Sequence, residues 1–253
     1  MTNKTLSKPA LQIINDYLNL SIADKKIKTP YFNNRRNKIR GGLRVLIGTG
    51  SPKDIVEETT ILSLREKADI SNLNEEDLQK YLVEHNLGID CSGLVYHVLD
   101  AELKSRNKGS LYKYIRRPWI KNPLRKLIAK LRTVENAGVS TFNNPANSKE
   151  IEVKDIQPGD MIIMMNTGRD NNIHHILLVY ETKTENSELR TMNYVHSFQY
   201  PEDGKYNHGV RQESVEITNT NKTLLEQNWS EPRMLEHARQ AKEFKIARIK
   251  TLK

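Results

Sequence analysis

Cys91 is the only cysteine of the 253-residue chain, and it stands where a turn gives way to a helix. The stretch Asn86-Leu87-Gly88-Ile89-Asp90-Cys91-Ser92-Gly93-Leu94-Val95 sets it there. Leu94, Val95, Val98, Leu99 and Leu103 follow at helical spacing, and Asp90 is a candidate N-cap. A thiol at a helix N-terminus lies beside unpaired N–H groups and the positive end of the helix dipole. Both favour a thiolate, and the N–H groups can hold the oxyanion formed when a thiolate attacks a carbonyl. A lone cysteine is equally, by its type, a small buried hydrophobe, so its partners decide which role it has.

Cysteine catalysis needs a base for the thiol proton and a polar group to orient that base. The chain has seven histidines. His85 and His97 fall on predicted helices. At about 100° per residue, His97 lies roughly 240° round its helix from Cys91 and points elsewhere. His208 and His237 fall in a turn and a late helix. His174, His175 and His196 fall on predicted strands. Alternation puts His175 with Leu177 and Val179 on one face, and His174 with Ile176, Leu178 and Tyr180 on the other. Only one of the adjacent pair can face a helix packed on the sheet, and alternation does not say which. His196 shares a face with Tyr194 and Phe198 on the neighbouring strand.

The elements that must position these groups read as helices first and strands second. Leu11, Ile14 and Leu18 stripe an early helix. NNRRNKIRGG (33–42) reads as a loop punctuated by Gly41-Gly42. Ser51-Pro52 starts a helix running to about Lys67, with Ile55, Ile61, Leu62 and Leu64 apolar. Asn74-Glu75-Glu76-Asp77 starts another, with Leu78, Tyr81 and Leu82 on its buried face and Gly88 as a natural C′ residue. The cysteine helix spans about Cys91 to Lys104. Leu124, Leu127, Ile128 and Leu131 then form an i, i+3, i+4, i+7 stripe on a short basic helix. That helix is expected either to pack on the domain through its leucines or to contact an anionic or membrane surface. Residues 135–150 read as an exposed loop.

From residue 151 the period changes. Pro158-Gly159-Asp160 is a turn, and strands are predicted over 161–165, 173–182, 191–200 and 209–218. A helix from Pro232 to Lys242 and a closing strand over 244–252 follow. About five strands with short connections predict an antiparallel sheet in an α+β fold.

The net charge of +9 is local. Lys104 to Arg132 holds eleven basic residues and no acidic ones, which leaves 29 basic against 31 acidic elsewhere. A single cysteine excludes an internal disulfide framework and a multi-cysteine metal site, and no cofactor or metal is expected. No apolar run approaches the roughly 20 residues needed to span a bilayer. The N-terminus lacks the apolar core and cleavage pattern of a secretory signal. The expectation is a protein made in the cytoplasm, which acts outside only if delivered by another route.

Asp90-Cys91-Ser92-Gly93-Leu94-Val95 resembles the nucleophile motif of the NlpC-type cysteine peptidases, a papain-like group. Pro158-Gly159-Asp160-Met161-Ile162-Ile163 resembles the turn and strand that follow the cysteine helix there. His175-Ile176-Leu177-Leu178-Val179 resembles that family's histidine strand, and Val195-His196-Ser197 the strand bearing its third polar residue. The resemblance covers about residues 75–200. Leu177 stands where the family usually has glycine, part of TKTENSELR reads as an insertion between the two histidines, and residues 1–74 are not covered.

What the resemblance implies is a papain-like core over residues 75–253, with N-terminal helices packed on the sheet. Residues 1–74 would be a helical extension of one domain, and 104–150 a basic insertion. Cys91 would be the nucleophile, His175 the base and His196 its orienting partner. The thiol pKa would fall from about 8.5 to roughly 3.5–7.5. The reaction would be amide hydrolysis through a thioester, on a peptide or cell-wall fragment such as a peptidoglycan stem peptide after D-glutamate. One alternative is a lipid acyltransferase or esterase of related fold, with residues 104–132 on a membrane surface. Another is a non-catalytic binding protein for an anionic partner, although nucleic acid is not the expected one.

Overall fold

The computed structural model describes residues 1–34 and 45–252. The predicted loop over 33–42, with its Gly41-Gly42 pair, lies almost wholly outside the described residues.

Helix α1 (Lys8–Leu18) buries Ala10, Ile14 and Tyr17. A small hairpin, β2 (Leu20–Ile22) and β3 (Lys25–Ile27), follows it. Helix α2 (Pro52–Glu66) opens on a complete capping box between Ser51 and Asp54. Its Ile55 and Leu62 are buried, whereas Ile61 and Leu64 face solvent. Helix α3 (Glu75–Glu84) is capped by Asn74 and buries Leu78 and Leu82. It is Asn86, at φ 57°, that takes the left-handed position after α3, not Gly88. Gly88 is needed for another reason: a Cβ there would lie 2.5 Å from the Pro30 carbonyl oxygen.

Helix α4 (Cys91–Ser105) buries residues nearly all round, among them Leu94, Val95, Val98 and Leu99. It lies between α1 on one side and the sheet on the other. Helices α5 (Pro123–Leu131) and α6 (Val139–Asn143) follow. The stretch 135–150, expected as an exposed loop, instead buries Ala137, Val139, Phe142 and Asn147 and forms α6 and a strand.

The main sheet is antiparallel throughout. Its long strands are β5 (Asp160–Thr167), β6 (Ile173–Glu185), β7 (Glu188–Phe198), β8 (Gly209–Glu216) and β10 (Glu243–Ile249). Three short strands extend the expected five: β1 (Thr2–Thr5), β4 (Ser148–Glu150) and β9 (Asn228–Trp229). The order is β4-β10-β5-β6-β7-β8-β9, and β1 pairs with the outer half of β6. Residues 2–5 therefore belong to the sheet and α1 to its covering layer, so the N-terminal segment is built into the fold rather than appended to it. TKTENSELR forms the far end of a long hairpin. It carries β6 and β7 on to a two-residue turn at Asn186 and Ser187, both at positive φ.

The sheet is covered on both faces. Met161, Ile163, Ile176, Leu178 and Val195 join one core with α1 and α4. Ile162, Met164, Leu177, Val179 and Tyr194 join a second core with Met234 and Ala238 of α7 (Pro232–Arg239). The Pro158-Gly159-Asp160 turn enters β5 as expected. Asp160 is fully buried, accepts the Gln157 N–H, and takes Arg248 of β10 at 2.6 and 2.8 Å. The fold is thus α+β, and no helix among the described residues is long and apolar enough to cross a membrane.

Candidate active site

Two crossings of the chain fix the start of α4. The Ile89 N–H donates to the Pro30 carbonyl at 3.0 Å, and the Asp90 N–H to the Gly48 carbonyl at 2.8 Å. Asp90 is extended and accepts from the Gly93 N–H at 2.5 Å and from the Ser92 hydroxyl at 2.9 Å. Gly93 has to be glycine, because a Cβ there would meet Ile89 at 2.8 Å and the Gly48 carbonyl at 3.0 Å. Cys91 is thereby held in the first turn of a helix pressed against the sheet.

Cys91 is only 4% exposed. Burial, and then the negative charge of Asp90, push its thiol well above the usual range. The backbone N–H groups of Ile176, Ser92 and Cys91 oppose this and do not overcome it. The expected low thiolate pKa is therefore corrected: desolvation outweighs the helix terminus here, and the resting sulfur is a neutral thiol.

Cys91 opens onto a cavity of about 340 Å³. Its lining includes Tyr31, Asn33, Asp90, Ser92, Asn172 and His174. The histidine that shares this cavity with the thiol is His174, which is half-buried and stands on the same face as Ile176 and Leu178. Its Nδ1 accepts the Asn166 N–H at 3.0 Å. A neutral His174 in this contact carries its proton on Nε2.

His175 is not in this cavity. Its cross-strand neighbour is Met164, and it shares a face with Leu177 and Val179, in the core on the far side of the sheet from Cys91. Its Nε2 is 3.1 Å from Nδ1 of His196, and its ring packs on Phe198 and near His237 of α7. His175 as the base for Cys91, and His196 as the residue orienting that base, are both corrected by this placement. The two histidines do pair, but away from the thiol. The alternation was read correctly; the choice of face was reversed, and one residue of slip in a strand moves a side chain through the sheet.

That far-side cluster is a buried polar network. His175 is 1% exposed, and burial, followed by the nearby His196 and His237, holds its pKa well below the ordinary value. Glu213 lies 3.2 Å from Nε2 of His196 but accepts its hydrogen bond from the Tyr194 hydroxyl. His196 Nε2 has no hydrogen-bond partner among the described residues. His237 contacts the Thr167 hydroxyl at 2.8 Å, and burial lowers its pKa to about 4.

Sequence reasoning found Cys91, Asp90 and Ser92, held His174 as the alternative to His175, and missed Tyr31 and Asn33. Tyr31 and Asn33 come from a segment to which the sequence assigned no chemistry. Isolated bridges from Ile89 to Tyr31 and Thr49 bring that segment to the site, and no local pattern announces such pairings. Among the described residues no group of three or more histidine, cysteine or acidic side chains is placed to hold a metal ion.

Comparison of the chain with protein-family models, with curated proteins and with solved structures gives no match.

Proposed function

We propose that the protein is a cysteine hydrolase that cleaves an amide by way of a thioester, with Cys91 as nucleophile and His174 as its proton partner. The observation that carries this reading is that the only cysteine, at a helix N-terminus, opens onto one cavity with a half-buried histidine. A helix bearing the nucleophile, laid across an antiparallel sheet bearing the histidine, is the arrangement a papain-like core would have.

In this mechanism the neutral thiol attacks the substrate carbonyl while its proton passes to His174. The ring must first turn from Asn166 so that an unprotonated nitrogen faces the sulfur. The carbonyl becomes an oxyanion within reach of the unpaired N–H groups at the start of α4. His174 then protonates the leaving amine, and water, deprotonated by the same imidazole, releases the acid and restores the thiol. The raised thiol pKa favours concerted proton transfer over a standing ion pair. Peptidoglycan stem peptides are the substrate class that the motif resemblance points to.

The test is mass spectrometry of the intact protein with an activated acyl ester, beside chromatography of digested wall peptides. The expected result is an acyl adduct on Cys91 in the native protein, none in Cys91→Ala, and strongly slowed formation in His174→Ala. An adduct that forms equally fast in His174→Ala would sink the assignment, and the absence of any adduct would sink the hydrolase reading.

A further inference from the structure

Helix α5 carries an apolar stripe that the rest of the described chain does not cover. Leu124, Leu127, Ile128 and Leu131 are 65%, 54%, 49% and 72% exposed. Their spacing places them on one face, and the single buried residue of the helix, Ala129, lies on the other. The helix thus rests on the domain by a small side chain and turns its leucines outward, the reverse of an ordinary surface helix. Leu127 and Leu131 border a groove of about 640 Å³ against Tyr96 and Tyr112. Their exposure shows that the groove covers neither. Trp119, on the approach to the helix, is 49% exposed.

The surroundings are cationic. Of the eleven basic residues between Lys104 and Arg132, Lys104, Arg106 and Arg132 are paired with Asp100, Glu102 and Glu135. Arg125, Lys126 and Lys130 of the helix itself have no carboxylate partner among the described residues.

We propose that α5 and Trp119 form a docking surface for an anionic lipid bilayer. The leucines would enter the acyl boundary, Trp119 would sit at headgroup depth, and the lysine and arginine stems would lie along the apolar surface with their charges on lipid phosphates. Charge and apolarity are presented together, and a bilayer surface answers both. Nucleic acid would engage the cations and leave four large apolar side chains in water. A second copy of this chain would set like charges face to face. A stripe on a nine-residue helix covers limited area, so the binding is reversible and sensitive to salt. The inference is independent of the hydrolase reading.

Co-sedimentation of the full chain with phosphatidylcholine vesicles, with and without phosphatidylglycerol, tests this. The expected result is binding only to the phosphatidylglycerol vesicles, weakened about tenfold by high salt. A blue shift of tryptophan emission should accompany it and be lost in Trp119→Phe. Leu127→Asp with Leu131→Asp changes exposed positions only, so the fold should persist while vesicle binding falls by about an order of magnitude. No binding to anionic vesicles overturns the proposal. So does undiminished binding by the double aspartate variant, which would leave a purely cationic surface of the kind nucleic acid uses. A dimer in sedimentation velocity that Leu127→Asp dissolves, without vesicle binding, would assign the stripe to a second copy.

Discussion

Nε2 of His175 and Nδ1 of His196 lie 3.1 Å apart in a core on the opposite side of the sheet from Cys91. Two imidazoles at that distance share one hydrogen, and a proton on both would set two buried positive charges together. The pair is therefore a buried hydrogen bond in which burial holds the His175 pKa low. It separates the histidines that hold the sheet from the one that shares a cavity with the thiol.

The first expectation concerns adjacent residues with opposite roles. His174→Ala should slow acylation and alkylation of Cys91 while barely changing urea stability, because the side chain is half-buried and accepts a single hydrogen bond, from the Asn166 N–H. His175→Ala should leave the alkylation rate near native yet cost about 2–4 kcal/mol, from a cavity and an unpaired His196. Iodoacetamide kinetics and urea melts on the two variants measure this, and the reverse pattern would return His175 to the thiol.

Acid should destabilise the protein earlier than carboxylate titration alone requires. His175 and His237 are held neutral in the fold, with pKa values depressed by burial, that of His237 to about 4. In the unfolded chain both titrate near 6.5. Between those values the unfolded state binds more protons, so unfolding free energy rises with pH. Their contribution is whole above about pH 6.5 and is lost as pH falls towards 4, with His237 accounting for at most about 3 kcal/mol. Urea midpoints from pH 4 to 7 should show this slope, and His237→Gln should flatten it without removing the share due to His175.

Asp90 both caps α4 and raises the Cys91 thiol pKa. Asp90→Asn keeps a side-chain oxygen for the Gly93 N–H and removes the charge, so stability should hold within a few tenths of a kcal/mol. Alkylation of Cys91 at fixed pH should then become faster. Asp90→Ala should instead cost about 1 kcal/mol through loss of the cap. Slower alkylation in Asp90→Asn would show that the carboxylate assists the thiol instead of opposing it.

The ion pair between Asp160 and Arg248 ties the turn before β5 to the closing strand β10. Asp160→Asn leaves Arg248 facing a neutral partner in a largely buried place, and the expected loss is about 2–4 kcal/mol. Replacing both residues should cost less than the sum of the single changes, and a double-mutant cycle in urea reads that difference.

Much of the fold was legible because it rests on local signals. Ser51-Pro52, Asn74 and Asp90 start helices where their side chains can cap them, and all three do. A short apolar run after a turn marked β5, and period-two alternation sorted the residues of β6 and β7 onto two faces correctly. The short strands β1, β4 and β9 were not legible. Two to four residues carry too little pattern, and their pairing partners lie far along the chain.

By itself the sequence determined that one cysteine begins a buried helix, that the sheet is antiparallel, and that His174 and His175 lie on opposite faces of it. Only the tertiary structure decided which face meets Cys91, because alternation fixes relative orientation and the packing of α4 fixes the absolute one. It also decided the state of the thiol, since desolvation depends on everything around Cys91 and not on its neighbours in the chain. The stripe on α5 was plain in the sequence. Its outward direction was settled by Ala129, the one residue of that helix the domain buries.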